Sequence, residues 1–211
     1  MAVEAKICGL ATPETVDAAV TFGARWVGFV TYPRSPRHIS TETMRALGAR
    51  VPKTVGRVGL FVDPDDALLD EKLATGALDL LQLHGSETPE RMAAIRHRTG
   101  KPVMKAVKVA RAADVERGIT AYAGVVDRLM FDAAEGTLPG GNATSFDWTI
   151  LSGRTVPVPW FLAGGLTPDN VAEAVRVTGA PAVDVSSGVE SSRGVKSIEL
   201  IRAFLDRVKA L

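Results

Sequence analysis

The chain has one cysteine, Cys8, in the stretch Lys6-Ile7-Cys8-Gly9-Leu10. An ionised thiol can take a proton, attack carbon or bind a metal, whereas a neutral one is a small buried hydrophobe. Its possible counterpart is Asp132, which closes the apolar run Leu129-Met130-Phe131. A carboxylate there is either a turn-former or a functional acid. Two further stretches suit anion binding. Gly164-Gly165 lets backbone N–H groups approach closely, and Ser186-Ser187-Gly188 can open a short helix whose N-terminus aims more of them at the same point. The segment 31–38 carries Arg34, Arg37 and His38 along with Pro33 and Pro36, either as an anion reader or as a solvated loop. Gln82 and His84 lie two apart, hence on one face of an extended strand. These are residue types that chemistry on an anionic ligand could use, and each also has an ordinary structural reading.

These residues must be positioned by the elements that precede them. Short apolar runs bounded by Gly, Pro, Asp or Ser fall at 3–8, 26–30, 55–62, 78–83, 103–109, 128–132, 159–163 and 182–186, and read as buried strands. Amphipathic stretches between them read as helices at 13–23, 41–49, 65–75, 88–99, 111–121, 146–152, 168–177 and 195–209. Thr12-Pro13-Glu14 is a helix start: a capping hydroxyl, a proline suited to the first turn and an acid at the positive end. Eight strand–helix units repeating every 26 residues or so predict an α/β fold, a single (β/α)8 TIM barrel spanning 1–211. A doubly wound sheet is the rival, and its dinucleotide-binding form lacks the expected glycine fingerprint after the first strand. In a barrel the active site lies at the carboxyl ends of the strands, and the last two loops commonly hold a phosphate. Cys8, Asp132, Gly164-Gly165 and Ser186-Ser187-Gly188 all follow strands.

Composition narrows the class. With 25 basic and 24 acidic side chains, the net charge of +1 leaves no electrostatic footprint for nucleic acid or an anionic membrane. No apolar run approaches the roughly 18 residues of a membrane helix. Glu4 and Lys6 near the start speak against a signal peptide. A lone cysteine forms no internal disulfide, which agrees with a reducing cytoplasm. His38, His84 and His97 are scattered and lack metal-ligand spacing with Cys8, so no metal and no cofactor are expected. Oligomeric state has no signature in the helix faces.

Six segments in order resemble the phosphoribosylanthranilate isomerase family of tryptophan biosynthesis. They are Lys6-Ile7-Cys8-Gly9-Leu10, Gln82-Leu83-His84-Gly85, Phe131-Asp132, Pro139-Gly140-Gly141 with Ser145-Phe146-Asp147-Trp148, Leu162-Ala163-Gly164-Gly165-Leu166-Thr167-Pro168, and Val183-Asp184-Val185-Ser186-Ser187-Gly188-Val189-Glu190. One departure stands out: where the family usually has Thr-Gly-Lys-Thr, this chain has Asn142-Ala143-Thr144-Ser145. The resemblance implies an Amadori rearrangement of a phosphorylated aminosugar, with Cys8 as general base at C2 and Asp132 as general acid at the ring oxygen. It also implies Arg37 as reader of the anthranilate carboxylate, His84 as a substrate neighbour, and Asp184 in the barrel mouth, where it would either orient Lys6 or contact the substrate. Gly164, Gly165, Ser186, Ser187 and Gly188 would hold the phosphate.

On that reading Asp132 needs a raised pKa, from burial or a carboxylate neighbour, and Cys8 needs a lowered one, for which Lys6 on the same strand face is the candidate. The rival enzymes are another sugar-phosphate barrel, an epimerase or a Schiff-base aldolase using Lys105 or Lys6. A non-catalytic binder of phosphorylated ligands is the rival from outside enzymology.

Overall fold

The computed structural model describes residues 2–134 and 147–211. Eight parallel strands close into one barrel in chain order: β1 (Glu4–Cys8), β2 (Trp26–Val30), β3 (Gly56–Phe61), β4 (Leu80–Leu83), β5 (Val103–Val109), β6 (Arg128–Ala133), β7 (Trp160–Leu162) and β8 (Ala182–Val185). β1 completes the ring by pairing with β8, Lys6 opposite Asp184, and with β2, Cys8 opposite Gly28. Alternation along the strands divides the side chains into two sets. Val58, Leu80, Met104, Ala106, Met130, Phe161, Ala163 and Ala182 form an inner cluster with Trp26 against it. The alternate residues, among them Ile7, Phe29, Leu81, Leu83, Leu129, Phe131 and Val183, pack in a larger cluster with the helix residues outside the barrel. Lys6 and Cys8 on β1, Gln82 on β4, Asp132 on β6 and Asp184 on β8 each share the parity of an inner residue or of each other, so they face inward.

Seven α-helices cover the barrel among the described residues: α1 (Pro13–Thr21), α2 (Thr41–Gly48), α3 (Asp66–Leu73), α4 (Pro89–Thr99), α5 (Ala112–Tyr122), α6 (Val171–Thr178) and α7 (Ile198–Lys209). Thr12 caps α1 as its sequence predicts, its side chain accepting from Thr15 N, and Thr88 caps α4 in the same way before Pro89. None of the described helices is long and apolar enough to cross a membrane.

Three helix expectations change. Within 146–152 the described residues hold a 3₁₀ turn, Trp148–Leu151, stapled at its start by Asp147, whose side chain accepts from Thr149 N. Residues 168–177 become helical only at Val171, because Asn170 ties down the preceding loop: its Oδ1 accepts from Thr167 N (2.8 Å) and its Nδ2 donates to Gly165 O (2.9 Å). Residues 195–196 leave the last helix for a small antiparallel hairpin, β9 (Glu190–Ser192) with β10 (Val195–Lys196). Gly194, at φ +85°, makes the turn, and Ser197 caps α7 by accepting from Leu200 N.

Candidate active site

Cys8 ends β1 with its side chain buried against β2. A Cβ at Gly28 would lie 3.0 Å from Sγ, so glycine there makes room for the thiol. Below it Lys6 is fully buried and donates to Asp184 Oδ1 at 2.7 Å. For Lys6, burial alone would favour the neutral amine, but Asp184, and the thiol beside it, outweigh burial and raise its pKa. For Cys8 the balance runs the other way. Burial raises the thiol pKa, Lys6 pulls it down, Asp184 pushes it up, and the net direction is upward. The expected depression by Lys6 is therefore real but overridden, first by burial of the thiol and then by the Asp184 carboxylate.

Across the barrel Asp132 closes β6. Its Oδ2 lies 3.0 Å from His84 Nε2, and His84 follows β4. An imidazole, rather than a second carboxylate, is thus its hydrogen-bonding neighbour. Beneath them the wholly buried Gln82 sets its amide nitrogen 3.1 Å from His84 Nδ1.

The β2–α2 segment brings in Arg37, held where Ile39 N donates to Val30 O. Its guanidinium is bidentate to Glu190, Nε to Oε1 at 2.6 Å and Nη2 to Oε2 at 2.8 Å. Glu190 also accepts from Lys196 Nζ at 2.7 Å and from Gly194 N at 3.0 Å. Burial would raise the Glu190 carboxyl, but these bonds dominate and lower it to about 2. Burial lowers the Lys196 pKa despite Glu190. Lys196 reaches on to Ser186 O at 2.8 Å, and Ser186 Oγ donates to Cys8 O at 3.2 Å. Hence the hairpin braces both the Arg37 side and the Cys8 side of the site. Arg37, expected to offer two parallel bonds to a carboxylate ligand, already spends Nε and Nη2; only Nη1 lacks a partner among the described residues.

After β7 both Gly164 (φ +88°) and Gly165 (φ +66°) adopt left-handed backbone. A Cβ on Gly164 would meet Ala133 N at 2.4 Å. After β8 a 3₁₀ turn, Ser187–Val189, follows Ser186, and a Cβ on Gly188 would lie 1.8 Å from Leu166 O. The two loops are thus packed backbone to backbone at Leu166 and Gly188. Cys8, Arg37, His84, Asp132, Gly164, Gly165, Asp184, Ser186, Ser187 and Gly188 all line one pocket at the carboxyl ends of the strands.

A family model described as N-(5'phosphoribosyl)anthranilate (PRA) isomerase matches residues 5–207. The chain belongs to that family. An N-(5'-phosphoribosyl)anthranilate isomerase of Paracoccus denitrificans (strain Pd 1222) is 54% identical over 213 residues, covering 100% of this chain and 99% of the relative. The crystal structure of phosphoribosyl anthranilate isomerase from Thermotoga maritima superposes with a TM-score of 0.90 at 37% identity, over 99% of this chain and 100% of that one. Another phosphoribosyl anthranilate isomerase, solved in complex with reduced 1-(o-carboxyphenylamino)-1-deoxyribulose 5-phosphate, gives 0.85 at 35% identity with the same coverage. The segment in which this chain departs from the family pattern, Asn142-Ala143-Thr144-Ser145, lies outside the described residues, as do Pro139-Gly140-Gly141 and Phe146.

The lysines of the aldolase alternative are placed away from the pocket lining. Lys105 has the parity that faces the helices; its Nζ donates to Gly85 O (2.6 Å) and to Glu87 Oε2 (2.7 Å). Lys6 is sealed beneath Cys8. Among the described residues no three His, Cys, Asp or Glu side chains gather as metal ligands. Sequence reasoning gave no role to Glu190 and did not single out Lys196. The one available signal was a turn-forming Ser192-Arg193-Gly194 between an acid and a lysine.

Proposed function

We propose that the pocket converts N-(5-phosphoribosyl)anthranilate to 1-(2-carboxyphenylamino)-1-deoxyribulose 5-phosphate in L-tryptophan biosynthesis, with Asp132 as general acid and Cys8 as general base. Asp132 gives a proton to the ring oxygen as the C1–O bond breaks, and the nitrogen lone pair forms the C1=N iminium. Cys8, its thiol proton released to solvent water once the cation has formed, then takes the C2 proton as thiolate. The C–H electron pair becomes the C1=C2 bond, and the iminium electrons return to nitrogen. The enolamine becomes the ketone by losing the O2 proton and gaining one at C1. A thiol whose pKa lies above its ordinary value in the free protein needs help to ionise. The iminium cation, formed beside it in the first step, is that help, together with Lys6. The order of events follows: acid first, base second.

Gly164, Gly165, Ser186, Ser187 and Gly188 are the phosphate end of this reading, and Arg37 the carboxylate end, with Asp184 and His84 beside the sugar. No cofactor enters the chemistry. A reducing cytoplasm suits an enzyme whose base is a free thiol.

The observation that carries the proposal is that the thiol and the carboxyl group, 124 positions apart by number, line one pocket together with Gly164, Gly165 and Gly188. The test is the fluorescence decay of freshly prepared phosphoribosylanthranilate. Cys8→Ala and Asp132→Asn each lower turnover by about 10² to 10⁴, while binding of a product analogue through its phosphate survives. Undiminished turnover in either variant removes that residue from its role.

A further inference from the structure

Behind His84 stands a side chain to which the proposed reaction assigns no task. Gln82 is wholly buried inside the barrel; its amide nitrogen is 3.1 Å from His84 Nδ1 and 3.4 Å from Met130 Sδ. Its Oε1 is buried with no hydrogen-bond partner among the described residues. On the other side of the imidazole, Nε2 is 3.0 Å from Asp132 Oδ2. Gln82, His84 and Asp132 therefore form one hydrogen-bonded line from the barrel interior to the pocket.

The two nitrogens of an imidazole are coupled, because the neutral ring carries one proton. When the Gln82 N–H donates to Nδ1, the ring proton sits on Nε2 and donates to Asp132, which is then an ionised acceptor. When the amide turns by half a rotation, its carbonyl accepts from Nδ1–H. Nε2 is then free to accept the O–H of a neutral Asp132. The two ends of the amide have nearly the same shape, and each orientation leaves one amide atom unpaired, so neither is locked by burial.

We infer that Gln82 is a positioning residue: the end of its amide that faces Nδ1 sets which nitrogen of His84 carries the proton, and thereby whether Asp132 holds an acid proton. The inference rests on the proposed role of Asp132. The transfer balances: an imidazolium whose Nδ1–H is held by the Gln82 carbonyl passes its Nε2 proton to ionised Asp132. The products are a neutral imidazole and a carboxylic acid. Asp132 spends that proton on the substrate ring oxygen, and His84, which lines the pocket, is reprotonated by a proton from solvent water. The other ionisable groups around the line are Cys8 and Asp184 on β1 and β8, and Tyr32 and Arg37 from the β2–α2 segment. Lys6 lies beneath Cys8, and the Lys105–Glu87 pair, with Asp63, anchors the backbone just after His84.

The test is imidazole ¹⁵N spectroscopy of the whole protein between pH 5 and 9, with His84 assigned by His84→Asn, alongside pH profiles of kcat. Gln82→Leu removes both ends of the amide at similar volume against Met130. Gln82→Glu keeps the shape and can only accept from Nδ1–H while ionised. In the wild type, His84 at high pH shows the Nε2–H tautomer. Gln82→Glu keeps the imidazolium to a pH at least one unit higher. Gln82→Leu gives a tautomer mixture, lowers kcat about ten-fold with KM within two-fold, and moves the acid limb of the kcat profile. Spectra of Gln82→Leu that superimpose on the wild type overturn the inference. So does a changed tautomer with an unmoved kcat profile. A wild type without turnover fails the isomerase reading alone, because the tautomer is read without substrate.

Discussion

Replacing Glu190 with Gln removes the one carboxylate shared by Arg37 and Lys196, and the consequence can be worked from its environment. The side chain is 4% exposed and its carboxyl is lowered from an ordinary 4.5 to about 2. That drop of about 2.5 pH units, at roughly 1.4 kcal/mol per unit, corresponds to about 3.5 kcal/mol of preferential stabilisation of the ionised form, on the order of 3 kcal/mol in stability. Because the folded-state value is depressed, this stability is fully present above the unfolded value of 4.5. It is lost as pH falls through the folded value near 2. Glu190→Gln has no such titration and leaves two buried cations with a weaker partner. The expected result is a variant less stable than wild type by about 3 kcal/mol at pH 7, with the gap closing between pH 4.5 and 2. Urea unfolding at pH 7, 5, 4, 3 and 2 measures it. Other carboxylates titrate in both proteins and cancel in the difference. A gap that stays constant over the whole range would show that the loss is one of packing, and would refute the charge-pair reasoning.

Other outcomes follow from the same geometry. Lys6→Met should raise the apparent pKa of the Cys8 thiol further, because Lys6 is the main lowering influence and its loss leaves Asp184 unopposed. Ultraviolet thiolate absorbance reads this cleanly in a protein with one cysteine, and an unchanged titration would count against it. Gly188→Ala should abolish binding of the substrate phosphate, since its Cβ would sit 1.8 Å from Leu166 O and the two loops must separate; wild-type affinity for a product analogue would contradict this. Lys105→Met should leave the reaction within about ten-fold of wild type while costing about 3 kcal/mol of stability, because it breaks a buried pair outside the pocket. Covalent trapping of substrate by borohydride at Lys105 would reverse that assignment.

The barrel is readable from the sequence because its strands are buried on both faces and appear as unbroken apolar runs with breakers between them. All eight lie within two residues of their expected bounds. The limits of that reading have specific causes. Val195 extends the apolar repeat of Ile198, Ile201, Phe204 and Leu205, so the pattern ran through the hairpin that Gly194 and Ser197 in fact separate from α7. Trp148, Ile150 and Leu151 look like a helical face, yet the segment is a single 3₁₀ turn in which Leu151 alone is buried. The Arg37–Glu190 pair joins residues separated by 153 positions. No local pattern announces such a contact, even though both residues stand in recognisable motifs.

Cys8 shows most clearly where local reading ends. Its strand neighbour Lys6 is visible in the sequence, and strand parity correctly puts ammonium and thiol on one face. What parity cannot supply is the third member: β8 closes against β1 and sets Asp184 directly opposite Lys6, 178 positions away. An ammonium already paired to a carboxylate lowers a buried thiol's pKa less than burial raises it. The thiol of Cys8 thus has its pKa raised, in a pocket that Asp132 also lines. A base made effective by the cation that the acid step creates cannot act before ring opening. In the proposed reaction, closure of the barrel, rather than any single motif, thus puts the acid step before the base step.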